Sequence, residues 1–483
     1  MVGHQVGYRP TVLRRLLLAV LAALAVASPA QAFSKQDLTI RMSDGVDIAA
    51  TLYLPDGARP ASGWPTVMLF HGNGESRTML NAVGISMNDS AERFLAPFGY
   101  AVLTHDLRGH GASGGMYTLN GQRAVQDTRE LFDWLRARGD VDGTKIGGFG
   151  YSLGGGLMLR AAAEGVPFAA LEPAITWSDL PRSLLPGNVS KSGAVVGFLN
   201  SVSARLDPSL AALKDDLILS RNLPALRSEL GSRSTRGRLA LTTPTLVMQG
   251  RRDFVFGVDE GLSTYAQLRG PKRLYLADFG HPPAAKPAAE IPYALTLGRR
   301  WFDRYLRGLP NGIESEKPVE VAHDPWDGRT TSYASLPPTT TQSAVTNFRT
   351  PKRLAGGGRL VVPLGRPSSR AAETFGAPVV TLRGTRSGGW SRVVAVLTAG
   401  STVVASGATA TRDGSAPVAI RLNSQLTPLP RGARLRLTVS TTSTAQDPGN
   451  LLYLEAPPLP QRARFAVRGA SLALPLLRTR ASR

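Results

Sequence analysis

A serine hydroxyl becomes a nucleophile where a base takes its proton and an acid orients that base. This sequence carries all three groups in one order along the chain. Gly150-Tyr151-Ser152-Leu153-Gly154 fits G-x-S-x-G, a serine held on a sharp strand-to-helix turn. The pattern recurs at Gly111-Ala112-Ser113-Gly114-Gly115, but the flanks separate the two. Ser152 follows the apolar run Ile146–Phe149 and precedes a good helix former, Gly155–Ala163. Ser113 follows the polar, glycine-rich run Asp106–Gly111 with no helix behind it, so a loop-packing role is expected there.

The partners of such a serine follow it as acid, then histidine. Asp253 stands just beyond the apolar run Thr245–Met248, at the strand end where wound sheets place their sites. His281 follows the next run, Arg273–Leu276. Of six histidines, His4, His71, His105 and His110 precede the serine, and His323 lies in a later region of different pattern. Asp253 has the alternative of an ion pair with Arg251 or Arg252. Asp278 is a second candidate acid, on the same loop as His281. A tetrahedral intermediate also needs N–H donors for its oxyanion. The Leu153 amide is one candidate. The Asn73 amide is the other, in the turn His71-Gly72-Asn73-Gly74-Glu75-Ser76. His71 is expected to support that turn. No second ligand stands at metal spacing from it, and acyl chemistry of this kind needs neither metal nor cofactor.

These groups need a scaffold. From residue 33 to about 312, short buried strands alternate with helical stretches such as Ala124–Arg138, which predicts a parallel sheet covered on both faces. Expected strands are Thr66–Phe70, Tyr100–Thr104, Lys145–Phe149, Phe168–Leu171, Thr245–Met248 and Arg273–Leu276. Residues 174–243 are too long for a connection and hold helical patches, which predicts an inserted helical cap. After Asn311-Gly312 the pattern becomes short runs separated by Gly and Pro. The segment from Leu336 to Gln342 looks loop-like. Runs from Val379–Leu382 to Leu451–Leu454 predict an all-β sandwich over 313–470, with a basic tail at 471–483.

Length and composition agree with a folded globular protein of two or three domains. The 483 residues are 42% hydrophobic and 19% charged, with no cysteine for a disulfide or a thiol nucleophile. The net charge of +21 is concentrated: residues 351–483 hold 19 bases against 4 acids. Those bases are dispersed among strands rather than interleaved with aromatics, which argues against nucleic acid. An anionic cell-wall or membrane surface is the partner such a charge would attract; arginine-rich coding is the plain alternative, since 48 of the 56 bases are arginine. Arg14-Arg15, the apolar run Leu16–Val26 and Ala30-Gln31-Ala32 describe a signal peptide. Cleavage after Ala32 and a secreted or wall-associated product are expected.

The chain resembles the α/β-hydrolase superfamily and, more narrowly, the X-prolyl dipeptidyl-peptidase/cocaine-esterase (CocE/NonD-like) family of serine hydrolases. The residues that carry the likeness are the run Asp106 to Gly115, Asp133-Trp134-Leu135, Gly143 to Gly147, the Ser152 turn, a cap, Gly250 to Asp253, and His281. The all-β region beyond residue 312 is similar to the family's C-terminal jelly-roll domain. The resemblance implies a catalytic triad of Ser152, Asp253 and His281 and a secreted hydrolase. It would cut an ester or amide bond in a small-molecule or short-peptide substrate through an acyl-serine. Three features depart from the family. Leu153 stands where a tyrosine is usual, and Gly139-Asp140-Val141-Asp142 where a tryptophan is usual. The oxyanion turn has no tyrosine. Peptidase and esterase readings both stay open, and a dipeptidyl-peptidase would need a carboxylate such as Glu75 or Glu172 for the substrate amine. Alternatives are an exported acyltransferase acting on wall lipids, or a wall-binding protein with an inert hydrolase domain.

Overall fold

The computed structural model describes residues 32–81, 83–281, 284–365, 372–442, 452–453 and 457–477. The expected signal peptide lies outside the described residues except for Ala32. Ten strands form one mixed sheet: β1 (Phe33–Arg41), β2 (Asp47–Pro55), β3 (Trp64–Phe70), β4 (Ala101–His105), β5 (Val141–Tyr151), β6 (Ala170–Ala174), β7 (Thr245–Gly250), β8 (Lys272–Ala277), β9 (Val319–Ala322) and β10 (Thr330–Tyr333). Their order is β1-β2-β4-β3-β5-β6-β7-β8-β9-β10. From β4 to β9 neighbours run parallel, and the strands at each edge are antiparallel. A parallel sheet buried on both faces needs near-continuous apolar strands, which is why those runs stood out in the sequence. Helix Leu153–Ala163 packs with one face. Helix Ile291–Tyr305 covers the other, through Ala294, Leu297, Trp301 and Phe302.

Between β6 and β7 the chain forms helices Leu180–Leu184, Ser192–Asn200, Pro208–Leu219 and Leu223–Ser232. Ten further strands follow: β11 (Thr339–Ala355), β12 (Leu360–Gly365), β13 (Ala372–Glu373), β14 (Val379–Ser387), β15 (Arg392–Ala399), β16 (Thr402–Ala410), β17 (Val418–Arg421), β18 (Pro428–Leu429), β19 (Leu435–Ser440) and β20 (Arg464–Leu477). Two antiparallel sheets, β11-β20-β14-β17 and β12-β19-β15-β16, enclose a core that includes Trp390 and Phe465. Without the two-residue pair β13–β18, strands taken in chain order give sheets 1-8-3-6 and 2-7-4-5. That is the double Greek key of a jelly roll.

Four expectations change. The first sheet does not end near residue 312: β9 pairs with β8 and β10 with β9, so the change to all-β structure falls after Tyr333. The turn at Asn311-Gly312 lies in the connection between helix Ile291–Tyr305 and β9. Of the loop expected from Leu336 to Gln342, residues 336–338 are outside any strand, but Thr339 to Gln342 begin β11, whose mostly exposed or half-buried residues leave no apolar run to notice; threonine's branched β-carbon suits a strand regardless. The tail does not begin at 471, because β20 continues to Leu477, and residues 478–483 lie outside the described set. In the run Leu451–Leu454, the described Leu452 and Tyr453 are buried in a short helical turn, not a strand.

Candidate active site

Ser152 leaves β5 in the left-handed region, φ 52° and ψ −120°, and caps helix Leu153–Ala163. Such backbone is strained for a residue with a β-carbon and persists only when its surroundings fix it. Here the Ser152 N–H donates to Ala174 O at 2.9 Å, and Thr176 Oγ1 donates to Ser152 O at 2.8 Å. The turn brings the helix against β3 so closely that a β-carbon on Gly154 would overlap the Phe70 and His71 carbonyls. Gly154→Ala is therefore expected to destabilise the fold by about 2 kcal/mol or more, since backbone has to shift; a denaturant titration against wild type measures it.

The expected partners meet at this turn. His281 Nε2 lies 2.8 Å from Ser152 Oγ, and His281 Nδ1 lies 2.6 Å from Asp253 Oδ2. A carboxylate at Nδ1 places the ring proton there, which leaves Nε2 to accept from the serine hydroxyl. Asp253 is fully buried, and its oxygens take four N–H groups in all. Oδ2 also accepts from the His281 backbone at 3.0 Å, and Oδ1 accepts from Val255 and Phe256 N–H, both at 2.9 Å. The edge-on ring of Phe256, 5.0 Å between centroids, fixes the imidazole plane. Asp253 makes no ion pair with Arg251 or Arg252, which reach toward Asp324 and, for Arg251, Glu373. Asp278 is not at the imidazole: its Oδ2 accepts from Trp326 N–H at 2.8 Å, and burial with nearby Asp324 pushes it up to about 6.

Among the described residues, neither the Leu153 nor the Asn73 backbone N–H is taken up by a hydrogen bond. The Asn73 turn is braced from both sides. Asn73 Nδ2 donates to Phe198 O at 3.0 Å and Ser201 Oγ at 2.8 Å, which ties it to the helical insertion. His71 lies beneath: its Nε2 accepts from Leu107 N–H at 2.9 Å and its Nδ1 donates to Gly72 O at 2.7 Å. Full burial holds His71 well below the usual histidine range, so it is neutral. Ser113 Oγ bridges loop backbone, donating to Asp106 O at 2.6 Å and accepting from Ala49 N–H at 2.9 Å.

A 260 Å³ cavity opens beside Ser152 and His281, walled largely by apolar side chains including Val83, Met87, Phe149, Ile175, Met248 and Ile291. Glu75 and Glu172 both border it. Glu75 is engaged, accepting from Tyr151 OH and from Gly72 N–H.

Sequence reasoning missed what holds the acid loop. Gln425 Nε2 donates to Asp253 O and Asn423 Nδ2 to Phe254 O, both at 2.7 Å, from the segment joining β17 to β18. Lys191, fully buried in the helical insertion, donates from Nζ to Phe254 O at 2.9 Å and Val255 O at 2.7 Å. No motif marks these residues, because each binds backbone far away in the chain. Burial drags the Lys191 ammonium down to about 8. Its neutral form still has two N–H groups for the two carbonyls. Between that value and the unfolded ~10.4, the unfolded chain binds the extra proton, so stability rises with pH across the window. Wild type is expected to gain roughly 3 kcal/mol relative to Lys191→Met between pH 8 and 10.5; paired denaturant titrations at both pH values check the sign.

A family model for X-Pro dipeptidyl-peptidase (S15 family) matches residues 44–282. Among curated proteins, the uncharacterized protein Rv2307c of Mycobacterium tuberculosis is 28% identical over 134 residues, 28% of this chain and 43% of that protein. The chain thus spans less than half the length of that relative. The uncharacterized YfhR of Salmonella typhi is 24% identical over 256 residues, 53% of this chain and 76% of its own. A CocE/NonD family hydrolase from Staphylococcus aureus has a TM-score of 0.71 at 14% identity, covering 92% of this chain and 94% of that one. An α-amino acid ester hydrolase has a TM-score of 0.64 at 15% identity, covering 93% and 98%. At these identities the structural likeness is one of fold.

Proposed function

We propose, from the premise that this chain belongs to the X-Pro dipeptidyl-peptidase/CocE–NonD family of α/β hydrolases, that it hydrolyses carboxylic esters through an acyl-Ser152 intermediate. One observation carries the reading: the unbroken hydrogen-bond relay from Asp253 through His281 to Ser152 Oγ, at the mouth of a cavity. Ser152 Oγ attacks the substrate carbonyl as its proton passes to His281 Nε2. Asp253 stabilises the imidazolium that forms. The Leu153 and Asn73 N–H groups take the oxyanion, and because neither has another partner among the described residues, nothing there has to be broken first. The tetrahedral intermediate collapses, His281 returns the proton to the leaving alcohol, and the acyl group stays on Ser152. Water, deprotonated by the same imidazole, then releases the acid and restores the hydroxyl.

An ester is favoured over an X-Pro peptide by the cavity. A dipeptidyl substrate brings a free ammonium, and one of the two carboxylates at the cavity, Glu75, is already bound to Tyr151 and Gly72 while burial raises its pKa. The walls suit an apolar acyl group instead. A fluorophosphonate probe is expected to label Ser152, located by mass spectrometry of the digest. Nitrophenyl esters should then be turned over far faster than Gly-Pro-anilide. Labelling elsewhere, or preference for the anilide, overturns the reading. Action outside the cytoplasm is part of the same proposal, supported by the N-terminal sequence. Protein recovered from culture medium is expected to begin at Phe33, which N-terminal sequencing checks.

A further inference from the structure

Among the polar groups that line the acyl cavity, Glu172 is one that the chemistry above does not use. Glu172 lies in β6 and pairs with Phe149 of β5, two residues before the pair Ala174–Tyr151. Phe149, Tyr151 and Ala174 belong to the face covered by helix Ile291–Tyr305, and Glu172 shares it. Its side chain is 2% exposed, borders the same cavity as Ser152 and His281, and its Oε1 has no hydrogen-bond partner among the described residues. The covering helix makes room for it: a β-carbon on Gly298 would overlap the Glu172 carboxyl. A glycine inside a 15-residue helix weakens the helix, so space for this carboxyl is kept at a cost. Burial alone drives Glu172 well above the usual carboxylate range, which favours the protonated acid, with one O–H to donate and a carbonyl to accept.

The surroundings decide which ligand group suits it. An ammonium would ionise the acid and still leave N–H groups without acceptors among Phe149, Ile175, Met248 and Ala294. A hydroxyl matches one donor and one acceptor and introduces no charge. From Phe149, beside Glu172, to Ser152 is three residues, about 10 Å at ~3.3 Å each. That is the reach of an extended chain of about six to eight carbons.

We propose that Glu172 is a specificity-determining residue of the acyl cavity, and that it binds a hydroxyl carried toward the far end of an otherwise apolar acyl chain of medium length. The proposal rests on the acyl-ester reading above.

The test compares nitrophenyl octanoate, 8-hydroxyoctanoate and 8-aminooctanoate, with butanoate and 4-hydroxybutanoate as short controls. Wild type is expected to favour 8-hydroxyoctanoate over octanoate by about tenfold or more in kcat/KM, mostly through KM, and to show no such preference in the short pair. Glu172→Gln, which keeps a donor and an acceptor, should hold the preference within a few-fold. Glu172→Leu should bring the ratio below one. Equal turnover of the two long esters by wild type, a ratio unmoved in Glu172→Leu, or preference for the amino ester overturns the assignment. The wild-type comparison stands even if a variant fails to fold. Failure of the underlying reading looks different: turnover surviving Ser152→Ala, or none on any ester, removes the nucleophile rather than the specificity residue.

Discussion

Ser152→Ala is expected to lower ester turnover by about 10⁴- to 10⁶-fold in kcat, with fluorophosphonate labelling lost. Geometry is the reason. The hydroxyl lies 2.8 Å from the imidazole nitrogen that is free to accept its proton, and its backbone is held in a left-handed conformation by bonds to Ala174 and Thr176. Alanine keeps that conformation and removes only the oxygen. The fold should therefore survive, with a melting temperature close to wild type. Ser113→Ala is the matched control. Its hydroxyl bridges Ala49 and Asp106, so its loss should cost about 1–3 kcal/mol of stability and leave kcat near wild type. A Ser152→Ala enzyme retaining a tenth of wild-type activity would place the nucleophile elsewhere.

The two serines also show what was legible in the sequence. Both sit in G-x-S-x-G, and the flanking apolar run and helix separated them, because a nucleophile turn needs a strand before it and a helix after it. Asp253 and His281 were legible through order and through their positions just past strand ends. The parallel strands were legible because burial on both faces forces apolar runs. The rest was hidden for physical reasons. β11 is polar and half-wet, so its strand character lies in branched side chains rather than in a hydrophobic pattern. β9 and β10 are four residues each and join the sheet by pairing that no local signal predicts. Lys191, Asn423 and Gln425 bind carbonyl oxygens, and a carbonyl is the same whatever residue bears it. Glu172 was visible as a carboxylate, but the burial that leaves its Oε1 without a partner among the described residues exists only once helix Ile291–Tyr305 covers it.

Asp253→Asn is expected to cost about 10³- to 10⁴-fold in kcat at neutral pH with a small change in KM. Asp253 Oδ2 now accepts from both the ring and the backbone of His281, while Oδ1 accepts from Val255 and Phe256. An asparagine has one accepting oxygen for these two pairs of donors. If its amide nitrogen faces His281, donor meets donor. The ring then relieves the conflict by carrying its proton on Nε2, where it can no longer take one from Ser152. If the amide nitrogen faces the loop instead, it meets the Val255 and Phe256 N–H groups, and the turn that carries the acid is disrupted. The outer clamps from Gln425 and Lys191 hold the loop backbone and resist that second arrangement, so the first should dominate. The expected signature is slow turnover, slow fluorophosphonate labelling in the same proportion, and unchanged circular dichroism. Asp278→Asn, whose carboxyl accepts from Trp326 rather than from the imidazole, should leave labelling within a few-fold of wild type. Reversal of those two results would move the acid from the end of β7 to the His281 loop, and the relay would have to be redrawn through Asp278.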